Sequence, residues 1–467
     1  MDATGRGARK GWRMGDEYKA GSNSAGRRSS VVSRYSRFEG VNAYRNRRRR
    51  NKTARIVVAV ALLCILGGAA FLFGRQYIDY RSLPFEVPGA DMYESGKQDK
   101  QDESEEVVPT MQPVTISLVG AGDVVMNSAV VESGQTDSGS YSFGHLFGQL
   151  RGELERFDVR TVSQETSLAG SSFGFGYSVP LNAPQELGRA EVDAGFNVIL
   201  RACDHALDTG RDGIHNELVW WHNEYPKIPI VGITEPDPEN NPGLDGYVGQ
   251  VYVYEKEGFK VAILNHSLNV PEEEQSVVSA LVEEKINADV AQVRELGVDM
   301  IVACPHWGVE NETEPSEEEH EFARIYANAG VDVIMGTNPR VLQRVEVLST
   351  ANGHKTLCFY SLGCLVSSLD VDNLLGGLAE LTVHRDESGN SVIQSATLKP
   401  VVTHRAAGEE YSTYLASDYT DELAQSSWDG SLTPEYVSQR CSEVFGEEYD
   451  AEAGELRINL DATVPVE

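Results

Sequence analysis

Ala194-Gly195-Phe196-Asn197-Val198-Ile199-Leu200 runs straight into Arg201-Ala202-Cys203-Asp204-His205-Ala206-Leu207-Asp208-Thr209-Gly210. The first seven residues are an apolar run long enough for a buried strand. An acid, an imidazole and a second acid stand at its end, with Gly210 and Gly213 beyond. A short buried strand that delivers Asp-His into a glycine-containing loop is how α/β enzymes present site residues at the carboxyl edge of a sheet. Read alone, the stretch is equally a polar strand end followed by a helix cap.

Other stretches share this grammar. Val114-Thr115-Ile116-Ser117-Leu118-Val119 reads as a strand and leads to Gly122-Asp123. Val159 to Val162 leads to Ser163-Gln164-Glu165. Asp299 to Cys304 leads to His306-Trp307-Gly308, and Val331 to Met335 leads to Asn338 and Arg340. Helices are expected over Pro184–Ala194, from near Gly210 through Trp220 and Trp221, over Glu272–Leu296 with acids in the first turn, and over Ser316–Ala329. Ser316 with Glu319 three residues on forms a capping box. Pro229–Gly232, Lys260–Asn265 and Leu357–Cys364 read as further strands. Leu378–His384 and Ser391–Thr403 alternate as antiparallel strands do. From about Glu409 the chain turns acidic with short apolar patches, which predicts an appended tail with one or two helices.

The chain has 467 residues and a formal net charge of −31. Residues 1–55 hold 16 Lys/Arg against 4 Asp/Glu, so +12, and the remaining 24 Lys/Arg and 67 Asp/Glu give −43. An acidic body repels nucleic-acid phosphates, so nucleic acid is not expected as a partner. A basic head on an acidic body points to two compartments. Ile56 to Phe73 is an uncharged apolar run close to the length that spans a bilayer as a helix. Arg47 to Arg50, Lys52 and Arg55 precede it, so the N-terminus is expected inside and the body outside. The alternative is a cleaved signal peptide, but the basic head is long and no clear small-x-small site follows. The expected organisation is a disordered basic tail (1–55), a transmembrane helix (56–74), an acidic linker (75–112), a main domain (113–405) and an acidic extension (406–467). The basic tail serves as a topology signal or touches anionic lipid. Six cysteines without a CxxC pair argue against a disulfide scaffold.

Asp123, Glu165, Asp204, His306 and Asn338 thus fall at matching strand ends. Carboxylates, imidazole and an amide so placed suit a hard or borderline divalent metal. Taken singly, Asp123 serves as well as a turn cap, Glu165 as a buried ion partner and His306 as a core hydrogen-bonder.

In order and spacing these motifs resemble the CapA-like proteins of bacterial poly-γ-glutamate capsule synthesis, within the calcineurin-like metallophosphatase superfamily. The resemblance spans about residues 113–370 and rests on Gly122-Asp123 with Met126, Ser163-Gln164-Glu165, Ala202 to Gly210, His306-Trp307-Gly308, Ala329 to Gln343, and Tyr360 to Leu365. It implies an α/β fold, a two-sheet sandwich flanked by helices, with a metal site at the strand ends. Departures are as informative. Two imidazoles of the family's last metal motif are Asn338 and Arg340 here, and Ser163, Cys203, Asp204 and Cys364 stand where the family has asparagine.

Asp204 and Asn338 still offer oxygen, whereas the guanidinium of Arg340 has no lone pair to give. One of two metal positions is therefore expected to be lost, with Arg340 filling it and pairing with Asp123. Glu165, Asp204, His306 and Asn338 would keep at most one divalent ion. Cys203 and Cys364 fill space at the site or form a bridge. Three functions compete. The first is a metal-dependent hydrolase in which His205 protonates the leaving group and Arg340 holds an anionic polymer or phosphorylated substrate. The second is a non-catalytic member that binds polyanion or scaffolds capsule synthesis and export proteins at the membrane. The third is a structural protein whose spacer and tail do the work.

Overall fold

The computed structural model describes residues 112–466 apart from 177, 245–247, 408–409 and 429. The basic tail, the expected transmembrane helix and all but the last residue of the linker lie outside the described residues. Among the described residues no helix is long and apolar enough to cross a membrane.

Two sheets form. The first contains β1 (Val114–Val124), β2 (Val159–Gln164), β3 (Val198–Leu200), β4 (Ile230–Val231) and β5 (Val248–Gly249). The second contains β6 (Val251–Lys256), β7 (Phe259–Ser267), β8 (Met300–His306), β9 (Val333–Met335), β10 (Val345–Ser349) and β11 (Lys355–Phe359). The chain then returns to the first sheet with β12 (Cys364–Val366), β13 (Leu375–Arg385), β14 (Ser391–Arg405), β15 (Tyr411–Leu415), β16 (Tyr449–Asp450) and β17 (Glu455–Arg457), and ends in the second with β18 (Thr463–Pro465). Strand order is β16-β17-β14-β13-β1-β2-β3-β4-β5, with β12 on β1 and β15 on β14, and β18-β10-β11-β9-β8-β7-β6. β1, β2 and β3 run parallel, as do β7, β8 and β9.

Side-chain alternation explains why the sheets stack. Ile116 and Leu118 of β1 meet Val261, Ile263, Met300 and Val302 in one core between the sheets. Their strand neighbours Val119 and Ala121 face the opposite way, toward Ile214, Leu218 and Trp221 of a helix. Ala262, Leu264, Ile301 and Ala303 face outward in the second sheet, onto Ile286, Val290, Ala323 and Tyr326. The central strands β1, β2, β3, β7, β8 and β9 are buried on both faces, as parallel strands in α/β proteins are. The covering helices are α1 (Glu186–Ala194) and α2 (Gly210–Glu224) on the first sheet, and α3 (Glu283–Glu295) and α4 (Glu317–Ala329) on the second. The capping box of α4 is present in full, with Ser316 Oγ accepting from the Glu319 N–H.

Three expectations change. The opening strand is three residues long, because Ala194 ends α1 and Gly195 caps it with φ +116°. Glu272–Leu296 is not one helix. A single turn covers Glu272–Glu274 and α3 begins only at Glu283. Between them the Ser279 N–H donates to Gly232 O at 2.8 Å, and Ser279 O accepts the Ser267 N–H at 2.9 Å. Val277, Val278, Ala280 and Leu281 are buried there, so burial of a β-branched apolar run overrides local helix preference. Finally, the acidic C-terminal region is no appendage. β15 and β17 pair with β14, and β18 pairs with β10. A further helix, α5 (Pro434–Phe445), places Val437, Cys441 and Phe445 in the core between the sheets.

Candidate functional site

The carboxyl ends of β1, β2 and β3 meet those of β8 and β9. Asp123 lies beside Ser163 in register, and His306 bridges to Thr337. Close backbone approach makes this junction, and two glycines permit it. A Cβ at Gly122 would sit 2.0 Å from Gly363 O, and one at Gly336 would sit 2.0 Å from Tyr360 O.

Asp123 is fully buried. Its Oδ1 accepts from Ser163 Oγ at 2.7 Å and its Oδ2 from the Asn338 N–H at 2.8 Å. Asp204 is the site carboxylate open to solvent, with 37 % of its side chain exposed. Its Oδ1 lies 3.1 Å from His306 Nε2, and His306 Nδ1 lies 3.1 Å from Thr337 Oγ1. His205 Nδ1 is held by Asp208 Oδ2 at 2.9 Å. Its Nε2 faces inward, 3.6 Å from both Glu165 Oε1 and Asp204 Oδ2. Arg340 reaches Glu165 Oε1 at 2.5 Å and Glu310 Oε2 at 3.0 Å.

Burial pushes the Glu165 carboxyl up to about 7, with Arg340 opposing and Asp123 adding to the rise. Burial also disfavours charge on Asp204, but the His306 hydrogen bond and the His306, His205 and Arg340 charges hold its carboxyl well below the usual range. Burial lowers both imidazoles, yet Asp208 with Asp204 raises His205 on balance, and Asp204 with Asp123 raises His306. The site is therefore electronegative and draws protons or a cation.

Every candidate residue taken from the sequence comes to this one place, but their partners differ from expectation. Arg340 pairs with Glu165 and Glu310, not with Asp123. The reason is local: Asp123 is already held by Ser163 and the Asn338 backbone. Asn338 is a turn residue, with φ +92°. Its side-chain Nδ2 donates to Trp307 O at 2.8 Å and Gly308 O at 3.0 Å, which ties two loops and leaves Oδ1 as the oxygen a metal would take. Among the described residues the compact set of ligand atoms is Glu165, Asp204 and His205, all within 4.8 Å of one another. Glu165 Oε2 is buried and has no hydrogen-bond partner, as a carboxylate awaiting an ion would be. The chemistry of the donors, two carboxylates and an imidazole, fits one divalent metal. The five described cysteines are free. Cys203 Sγ donates to Glu165 O and Cys364 Sγ to Arg340 O, so both fill space against site backbone.

Several supporting residues carry no sequence signal. Arg201 and Glu217 form a fully buried pair, and Gln164 donates to Glu217 Oε1 at 2.9 Å. That brace fixes the backbone flanking both Glu165 and Asp204. Thr337, Glu310 and Asn373, whose amide donates to Arg340 O at 3.1 Å, are equally silent in sequence. Asp208 had a legible signal, an acid three residues beyond His205.

Fold and site together define an α/β two-sheet protein with a carboxylate–imidazole centre at the strand ends. The chain belongs to the bacterial capsule synthesis protein family PGA_cap, whose profile matches residues 117–368. It is similar to the PGA biosynthesis protein CapA of Bacillus subtilis (strain 168), 27 % identical over 194 residues, covering 40 % of this chain and 47 % of that one. It is also similar to the capsule biosynthesis protein CapA of Bacillus anthracis, 25 % identical over 269 residues, covering 55 % and 60 %. The chain thus spans about half the length of these relatives. Among solved structures it resembles the calcineurin-like phosphoesterase YfkN of Bacillus subtilis at TM-score 0.35 and 13 % identity, over 71 % of this chain and 97 % of that one. NAD nucleotidase of Haemophilus influenzae matches at TM-score 0.38 and 12 % identity, over 61 % and 50 %.

Proposed function

We propose that this is a membrane-anchored, extracytoplasmic capsule-synthesis protein whose site holds one divalent ion and hydrolyses an anionic substrate. Poly-γ-glutamate, the polymer the family is associated with, or a phosphoester is the substrate class. The observation that carries the reading is the convergence of Glu165, Asp204 and His205 within 4.8 Å, on a Glu165 carboxylate whose Oε2 has no partner. The basic head, apolar run and acidic body of the sequence support the anchored topology.

An ion bound there supplies Lewis acidity and lowers the pKa of adjacent water. Glu165 and Asp204 give it oxygen. Asp208 fixes the ring of His205, so that Nε2 presents its lone pair to the same point. An imidazole that binds through Nε2 has no proton there to give, so in this reading His205 is a ligand and not the proton donor. Arg340 is a built-in cation on the opposite side of Glu165. Its guanidinium, shared with the half-exposed Glu310, is the group an anionic part of the substrate would meet.

One observation favours a non-catalytic binding or scaffold member instead. Glu165 Oε1 is already paired with Arg340, and Asp204 Oδ1 with His306. The described residues from 112 onward form a compact unit, and elemental analysis of that unit after dialysis decides. Close to one ion per chain, absent in Asp204→Ala, upholds the first reading. No ion in a folded wild-type unit gives the site to the second.

A further inference from the structure

The opposite ends of the strands hold a second concavity, a cavity of about 400 Å³. That lies within the ~300–1,000 Å³ range of small-molecule sites. Its floor joins both sheets: Met300 and Leu357 come from β8 and β11, and Val383 and Ile393 from β13 and β14. These are end residues of the core between the sheets. Asp299, Asp332, His354, Lys355 and Asp461 stand around it.

Most of those charges are already answered. Asp299 is paired with Arg385 at 3.1 Å, and Asp461 with Lys355 at 3.2 Å. Lys355 Nζ also donates to Leu460 O at 3.0 Å. His354 Nε2 is 2.9 Å from Val331 O, so its proton points to that carbonyl. It stands 4.0 Å from Asp332 Oδ1, beyond hydrogen-bond reach. Asp332 Oδ2 accepts the Ile301 N–H at 2.8 Å. That leaves Asp332 Oδ1 as a carboxylate oxygen on an apolar wall that accepts no hydrogen bond from any described residue.

A ligand that completes this arrangement needs an apolar body and a terminal N–H donor with positive charge. An anion would meet three carboxylates and one ammonium that is already paired. A neutral alcohol would satisfy the hydrogen bond but not the charge. The strongly acidic body also raises the local concentration of cations. We propose that this cavity binds a primary alkylammonium, with its stem against Met300, Leu357, Val383 and Ile393 and its nitrogen on Asp332 Oδ1. A free amine and a lysine side chain of another polypeptide share that chemistry.

The test is calorimetric titration of the purified full-length chain with n-hexylammonium, Nα-acetyl-lysine amide, hexanol and hexanoate. Saturable binding of hexylammonium alone assigns the site to free amines. Equal binding of the lysine amide assigns it to a lysine side chain. Either result supports the proposal if Asp332→Asn weakens it by about tenfold or more and Ile393→Trp, which fills the cavity, removes it. Metal content stays unchanged in both variants. The proposal is overturned if neither amine binds saturably, if hexanol binds as tightly as the amine, or if a folded Asp332→Asn chain binds the amine as the wild type does.

Discussion

Two guanidinium–carboxylate pairs, Arg201–Glu217 and Arg340–Glu165, stand at or beside the site, and they differ in how completely they are answered. Arg201 and Glu217 are wholly inaccessible to solvent. Arg201 Nε and Nη2 meet the two Glu217 oxygens at 2.8 and 3.1 Å, while Gln164 and the Leu168 N–H donate to the same carboxylate. The remaining guanidinium hydrogens reach Gln164 O and Ser167 Oγ. Arg340 and Glu165 share one contact, and Arg340 Nε and Glu165 Oε2 have no partner. In the first, the guanidinium and the carboxylate are both fully answered, and the pair braces a loop. The second has open valences on both members. A half-satisfied buried network costs stability unless something completes it, so the same pair of side chains marks a strut in one place and a ligand site in the other.

The contrast is broken most directly by deleting each guanidinium. Arg201→Met strands Glu217 as an unpaired buried charge and should cost about 3–5 kcal/mol in urea unfolding. Arg340→Met should cost less than half as much, because Glu165, already pushed up to about 7, takes a proton near neutrality. Equal losses would erase the distinction. Metal gives the next largest effect. A divalent ion at 100 times its Kd should stabilise the wild-type chain by about 2.7 kcal/mol. Glu165→Gln should abolish that shift, and a shift that survives the substitution removes Glu165 from the ligand set.

How far this was readable in sequence follows the same line. Strand ends announce themselves, because an apolar run followed by Gly-Asp or Asp-His needs only local chemistry to interpret. Asp123, Glu165, Asp204, His205 and His306 could therefore be placed at strand ends, where the structure brings them together. So was the capping box at Ser316, a contact across three residues. The partner of Arg340 was not legible. Asp123 and Glu165 are both acids at neighbouring strand ends, and the choice between them depends on the Asn338 N–H having claimed Asp123. Glu217 sits on a helix sixteen residues from Arg201, where nothing in sequence separates it from a surface acid. The residues from Val278 to Val282 were misread because their extended form depends on hydrogen bonds to Gly232 and Ser267, which lie outside the segment.

Glu191 sharpens the comparison by a smaller amount. It lies near the Arg201 pair, fully buried, and neither of its oxygens has a partner. Burial, reinforced by Glu217 and opposed by Arg201, raises its carboxyl well above 4.5. The folded chain then keeps a proton that the unfolded chain releases above its ordinary value. The stability this group contributes is complete below that value and falls as pH rises, by at most ~1.4 kcal/mol per unit. Glu191→Gln should therefore be more stable than wild type by a margin that widens between about pH 5 and pH 8. A margin that stays constant across urea unfolding at those pH values means Glu191 is charged, and then the Arg201 pair is not fully answered after all.

The finest test concerns what holds Arg340 in place. Glu310 takes one of its donors at 3.0 Å, and 45 % of the Glu310 side chain is exposed. An exposed partner contributes little to stability, about 0.2–1 kcal/mol. Yet it competes with any anion for the guanidinium fork. Glu310→Ala should leave the unfolding midpoint nearly unchanged while tightening the binding of inorganic phosphate by a few-fold, with a steeper loss on adding salt. Closing Arg201 off in the same way has no counterpart, since each of its donors is buried among fixed acceptors. If Glu310→Ala weakens phosphate binding instead, Glu310 orients the fork rather than occupying it, and the open valence of Arg340 depends on that exposed acid.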